Sequence, residues 1–178
     1  MPKIIENVKE KLLEEGKKIL IEKSYKELNI RFIVKRCNIG IGTFYNYFSN
    51  KEELVNEIFR NDWEKTMKLI NKLKFSNIPL KEKLYEIYLS MDDFITKYIS
   101  IFYEIAMLNG YKKNHHSSKG YQSFANSIMD LIEYEKQNKN ISSDLSSYKL
   151  ANLIISNMIF LSKTKYMDFD ELYNSLKI

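Results

Sequence analysis

The sequence predicts an all-α fold, and three observations carry that prediction: apolar residues recur near 3.6-residue spacing, no stretch sustains strand-like alternation, and only 5 Gly and 2 Pro interrupt 178 residues. So few breakers let helices run long. At 44% hydrophobic content the chain can bury a good core, and its length suits a small N-terminal module continuous with a larger bundle. The expected division is residues 1–51 and residues 52–178. No internal repeat or low-complexity segment is evident.

The first helix is expected from about Ile4 to Lys23, with Ile5, Val8, Leu12, Ile19 and Leu20 as a core stripe beneath a Lys and Glu surface. Asn29 can cap a second helix, about Ile30 to Cys37, because its side-chain oxygen can accept from the free amides of the first turn. Ile30, Ile33, Val34 and Cys37 give that helix its apolar face. Asn38 tolerates a left-handed backbone, so the chain can turn sharply there and bury Ile39 as a pin before Gly40 opens a third helix.

On a wheel of about 100° per residue, Phe44 and Phe48 share one side of the third helix. Asn46 lies opposite, with Gly42 and Thr43 beside it and Tyr45 and Tyr47 on the flanks. One face is core and the other can touch a partner. Two short helices around a tight turn match a helix-turn-helix, in which the second helix enters the DNA major groove. Hydroxyls, Lys or Arg and helix N-terminal amides hold the phosphates in such complexes. The candidate contacts to double-stranded DNA are therefore Asn29, Gly40, Ile41, Thr43, Tyr45, Asn46, Tyr47 and Lys51.

The run Gly42-Thr-Phe-Tyr-Asn-Tyr-Phe-Ser-Asn-Lys-Glu-Glu-Leu54 resembles the signature of the TetR family of bacterial transcriptional repressors, in which Gly-Thr, an apolar residue, Tyr-x-Tyr-Phe and Lys-Glu-x-Leu recur. Ile19 to Tyr25 is similar to the end of that family's first helix, so the resemblance covers about the first third of the chain. It implies that Thr43, Tyr45 and Tyr47 contact DNA and that Lys51 grips a phosphate, while Asn29 takes the usual Thr cap position. The sequence departs from the pattern at Ser24 and Asn38, where Gly is usual, and at Gly40-Ile41, where a polar pair is common. Gly at the cap costs a few tenths of a kcal/mol, roughly, relative to Ser. Ile41 could meet a thymine methyl, or lie against the core at the edge of the Phe44 and Phe48 face; the core position is the preferred reading.

A long helix follows from Glu52 to Lys74, capped by Ser49 or Asn50, with acidic residues in its first turn. In the resembling family it is the lever between DNA and ligand domains. Phe75 to Pro79 breaks the pattern, and Pro79 can open the next helix because its missing amide is not needed there. Helices of about Leu80 to Lys97 and Tyr98 to Leu108 are expected next, ended by Asn109-Gly110, and then a polar loop from Tyr111 to Lys119. Helices at about Gly120 to Gln137, Leu145 to Tyr166 and Phe169 to Leu176 complete the chain.

The Leu145 to Tyr166 helix is apolar almost all round and needs cover on two sides. One covering surface would be its own subunit and the other a partner. The resemblance implies a homodimer built on C-terminal helices, and Ala151, Ile154, Ile155, Met158, Phe169 and Leu172 are the expected interface residues. A central helix of a monomer is the alternative. A symmetric dimer would require a palindromic operator.

The second part is rich in aromatic and Met residues, which commonly line ligand sites between helices. Trp63, Met67, Tyr88, Met91, Phe102, Tyr103 and Phe124 are the candidate pocket for a small-molecule effector, although each alone is more simply read as core.

The net charge of +5 is localised, since residues 1–51 hold 11 Lys and Arg against 6 Glu, whereas the remainder is balanced at 17 against 17. That placement suits phosphate contact. A single Cys excludes an intramolecular disulfide and fits a reducing cytoplasm, and no segment reaches the roughly 20 apolar residues that span a bilayer. No secretory signal pattern is seen at the N-terminus. His115-His116 has no Cys or carboxylate cluster to complete a metal set, and Ser117-Ser118 has no spaced His and acid for a relay. No catalytic residue, metal or cofactor is expected. The sequence thus points to a ligand-responsive DNA-binding regulator, with a helical sensor carrying a degenerate DNA-binding module as the alternative.

Overall fold

The computed structural model describes residues 7–109 and 115–178, and among them the chain forms eight helices and no strand. They are α1 (Val8–Glu22), α2 (Ile30–Arg36), α3 (Ile41–Tyr45), α4 (Lys51–Lys74), α5 (Leu80–Asn109), α6 (His115–Gln137), α7 (Ser147–Thr164) and α8 (Phe169–Leu176). The all-helical expectation holds. Ile5 and the cap expected at Gly110 lie outside the described residues.

Two elements differ from the sequence reading. The two helices expected between Leu80 and Leu108 are one 30-residue helix, because no Gly or Pro interrupts the junction and Tyr98 is fully buried there. α6 begins at His115 rather than Gly120, so part of the expected loop is helical. Gly120 is exposed within it, a position where glycine costs about 1 kcal/mol relative to Ala without stopping the helix. The side chains of the His pair lie outside the described residues.

The chain divides into two compact units, residues 1–63 with 97–111, and residues 64–96 with 112–178. The first unit is therefore larger than the expected 1–51 module, taking in the start of α4 and the end of α5. In it α1 buries Val8, Leu12, Gly16, Ile19 and Leu20. A Cβ on Gly16 would stand 2.9 Å from Leu54 Cδ2 and 3.3 Å from Ile58 Cδ1, so α1 crosses α4 closely and a larger residue there would require the ends of those side chains to shift. Leu28, Ile33, Phe44, Phe48 and Leu54 close the same core, each such side chain worth about 1.5–3 kcal/mol of burial. Beside it Asp62 on α4, itself buried, accepts from Lys17 Nζ at 2.6 and 2.7 Å and from the Tyr98 hydroxyl at 2.6 Å.

The second unit packs α6 on α7 and α8 on α7. Its core holds Ile70, Leu84, Ile87, Met91, Ile128, Leu131, Leu150 and Leu161. Here the expected dimer residues are corrected: Ala151, Ile154, Ile155, Met158, Phe169 and Leu172 are all buried within the protomer. They cover the unit's own core, because an apolar helix first satisfies its nearest packing partners. The exposed apolar residues of α7 are Tyr148, Leu153 and Phe160.

A charged pair also lies inside this unit. Lys83 Nζ donates to Glu135 Oε1 at 2.7 Å with both side chains removed from water, and Asn140 Nδ2 donates to Glu135 Oε2 at 2.7 Å. Lys83 further reaches the Lys74 carbonyl at 3.3 Å, so the network joins the end of α4, α5, α6 and the turn after α6. Removing one partner strands the other charge in a medium that cannot solvate it. Lys83→Met alone is expected to lower unfolding free energy by about 3–5 kcal/mol, and Lys83→Met with Glu135→Leu to recover most of that loss in urea melts.

Candidate nucleic-acid interface

The geometry of the head begins with two asparagines. Asn29 is extended at φ −121° and its Oδ1 accepts from the Arg31 amide at 2.9 Å, which starts α2 as expected. At the other end Asn38 is left-handed at φ 54°. The Ile39 amide then donates to Val34 O at 3.0 Å and the Asn38 amide to Lys35 O at 3.2 Å, the paired bonds of a Schellman turn. Ile39 is half-buried, so the pin is present but not fully covered.

Gly40 precedes α3 in extended conformation without a side-chain cap. Phe44 and Phe48 are buried with ring centroids 5.7 Å apart. α3 ends at Tyr45, and the Tyr47 and Phe48 amides both return to Phe44 O, so Asn46 caps the helix rather than lying mid-helix. Gly40, Ile41, Gly42, Tyr45, Asn46 and Tyr47 are exposed and Thr43 is half-buried. The structure brings these together on one surface. It corrects the preferred position of Ile41, which is 44% exposed and does not lie against the core. With a glycine on each side, nothing folds Ile41 back onto the Phe44 and Phe48 side.

α4 starts with a reciprocal cap. Asn50 Oδ1 accepts from the Glu53 amide at 2.9 Å, while Glu53 Oε2 accepts from the Ser49 amide at 2.6 Å. That backbone bond holds the Glu53 carboxyl below the usual carboxylate range. Lys51, the expected phosphate residue, is half-buried and already engaged: Nζ donates to Tyr25 O at 3.1 Å and stands 4.2 Å from the Tyr25 ring centroid. An ammonium carries three donors, so this bond orients it without exhausting it.

The turn between α1 and α2 is clasped from a second side. Glu104 on α5 accepts from the Tyr25 amide at 2.9 Å and the Lys26 amide at 2.8 Å. Burial, then the nearby charges of Glu52 and Glu104, push the Tyr25 hydroxyl above its ordinary range. Ser24 Oγ accepts from the Glu27 amide at 3.1 Å, which explains how serine serves where the family pattern has glycine. Sequence reasoning missed Glu104, and no local signal marks it. It also missed the exposed bases Arg31 and Lys35 on α2, and Phe32, whose exposed ring has Lys23 Nζ and Arg36 Cζ each 5.6 Å from its centroid. Their charge against an exposed aromatic was the available signal.

Of the candidate effector residues, Tyr88, Met91 and Phe124 are core residues of the second unit and Met67 is half-buried there, whereas Trp63, Phe102 and Tyr103 belong to the first unit, with Tyr103 largely exposed. Among the described residues no three His, Cys, Asp or Glu gather as a metal set, and no helix is long and apolar enough to cross a membrane.

Comparison with known proteins agrees with the geometry. The family model described as bacterial regulatory proteins, tetR family, matches residues 12–58. An uncharacterised HTH-type transcriptional regulator, YhgD of Bacillus subtilis, is 41% identical over 51 residues, 29% of this chain and 27% of that protein. The match thus spans about a quarter of that relative. Across nearly the whole chain the fold is that of a transcriptional regulator from Aquifex aeolicus, with TM-score 0.66, 24% identity and coverage of 96% and 95%. It is also that of the Bacillus subtilis regulator FadR, solved in complex with stearoyl-CoA, with TM-score 0.61, 17% identity and coverage of 94% of both chains.

The αL turn sets the angle between α2 and α3, so its chemistry is testable. Asn38→Gly is expected to hold or raise stability, and Asn38→Val to cost about 1–2 kcal/mol, measured by thermal unfolding.

Proposed function

We propose that this chain, whose residues 12–58 match the family model described as bacterial regulatory proteins, tetR family, is a sequence-specific DNA-binding repressor that acts as a homodimer and responds to a small-molecule effector. The single observation that carries the reading is the exposed, uncharged surface of α3 and its flanks, held on the buried Phe44 and Phe48. A surface that carries hydroxyls, an amide and a small apolar side chain suits base edges and phosphates in a major groove. Thr43, Tyr45 and Tyr47 supply hydroxyls, Lys51 a partly oriented ammonium, and Arg31 and Lys35 flanking charge. Asn29 serves the interface indirectly, as the cap that places α2.

Twofold pairing of two such heads requires a self-complementary patch elsewhere. The exposed residues Leu153 and Phe160, seven apart and so on one stripe of α7, with Tyr148 nearby, are the surface we assign to it. For the effector, the second unit offers Met67, Tyr88, Met91 and Phe124, with a polar end where Lys165 Nζ donates to Asp92 at 2.6 Å and to the Tyr88 hydroxyl at 3.2 Å. An apolar chain with a polar head fits that chemistry, and FadR is a solved relative in fold that holds an acyl-CoA. The effector acts only through unequal affinity for the two states of the regulator.

Gel retardation on the DNA upstream of the protein's own gene tests the reading. A sequence-preferring complex is expected that weakens on the order of a hundredfold or more between 50 and 200 mM salt. Tyr45→Phe or Tyr47→Phe should each weaken it by about tenfold through loss of a hydrogen bond to a charged phosphate. A folded protein that gives no such complex would falsify the proposal. In sedimentation the wild-type chain is expected as a dimer and Leu153→Lys with Phe160→Lys as a monomer, since four like charges would be placed in one closed apolar contact.

A further inference from the structure

The reading surface of α3 has an unusual chemistry for a DNA-contacting element. No charged residue occurs from Cys37 to Asn50. No side chain in that stretch can therefore make the bidentate Arg or Lys contact to guanine that is the commonest specific contact in a major groove. What the stretch presents first is Ile41, 44% exposed at the opening of α3. It is flanked by Gly40 and Gly42, and a Cβ placed on Gly42 would meet nothing within 4 Å. Neither neighbour in sequence carries a side chain to cover it, and it sits on a backbone whose angle is set by the Asn38 turn. The exposed amide of Asn46, suited to adenine, lies at the other end of the same helix.

Covering an exposed isoleucine is favourable, by about 0.8 kcal/mol per CH₂ group removed from water. In a major groove only one base edge offers an apolar partner, the 5-methyl group of thymine. We infer that Ile41 is a specificity-determining residue that packs on a thymine methyl, and that the half-site it reads is built on A·T pairs. The inference rests on the DNA-binding reading above and adds which bases are read and by which side chain.

The experiment selects sites from a randomised duplex pool with the full chain, then replaces each thymine of the enriched duplex singly with deoxyuridine, which removes only the methyl group. At one thymine per half-site the wild-type chain is expected to lose about fourfold in affinity, the factor that corresponds to one buried methyl group. Ile41→Ala should lose a similar factor on the unmodified duplex and nothing further on that deoxyuridine duplex. Ile41→Val, which keeps a branched methyl, should retain the wild-type sensitivity. Circular dichroism should show both variants folded, since Ile41 is exposed and lies outside the buried core. A guanine-centred site, or an Ile41→Ala chain still sensitive at every thymine, would overturn the inference while leaving the DNA-binding reading intact. A pool from which no sequence is enriched would overturn both.

Discussion

The turn at Asn38 is the constraint on which the head depends. A left-handed residue between α2 and α3 lets two amides close back onto Val34 and Lys35, and those bonds leave only one direction for the chain to leave α2. From that direction follows which side of α3 meets the core. Phe44 and Phe48 go inward as the large aromatic residues on that side, and the exposure of Ile41, Tyr45 and Tyr47 is the geometric remainder. A different angle would bury part of the reading surface or expose part of the core.

The turn between α1 and α2 is held differently. Its backbone has donors at Tyr25 and Lys26 and an acceptor at Tyr25, none of which belongs to a helix ladder, and a polar backbone group near the core must find a partner. Glu104 takes both donors, and the acceptor is shared by Lys51 and the Leu28 amide. One turn is thus bound by opposite charges from α5 and α4, and hydrogen bonds to charged groups are worth more than neutral ones, about 1.5–3 kcal/mol. Lys51 therefore has two duties in the proposed reading. It fixes the start of α2 indirectly through Tyr25, and its remaining donors are those a phosphate would use.

How much of this the sequence disclosed depends on distance along the chain. Caps and turns are local chemistry, and Asn29, Asn38, the α4 cap and the Phe44 and Phe48 face were all readable from neighbours a few residues away. Helix continuity across residues 97–98 was not, because short apolar runs look alike whether a helix stops or passes through. The Glu104 clasp and the Lys83–Glu135 pair were invisible for a plainer reason: their partners lie about 80 and 50 residues apart, and a Glu with a buried partner is written like any surface Glu. The α7 reading went wrong on allocation. Periodicity showed more apolar surface than one contact needs, but not which part the protomer uses first, and the protomer took Ala151, Ile154, Ile155 and Met158.

The distribution of charge in the head separates two demands that a DNA-binding surface must meet. Attraction to phosphates is long in range and indifferent to sequence, so in the proposed reading it is served by side chains around the edge of the contact, Arg31, Lys35 and Lys51. Discrimination between bases works at contact distance, through hydrogen bonds and apolar contacts to base edges. An uncharged α3 leaves that task to neutral groups. Each of its exposed groups is short or rigid: a branched aliphatic, two aromatic rings and one amide, on a helix of five residues anchored by a buried phenylalanine. Such a surface gives up the strength of guanidinium contacts, and in the proposed reading the affinity it lacks comes from its charged margin and from pairing with a second copy. In the proposed reading twofold assembly would therefore be part of recognition, adding contacts that one small uncharged reader alone does not supply.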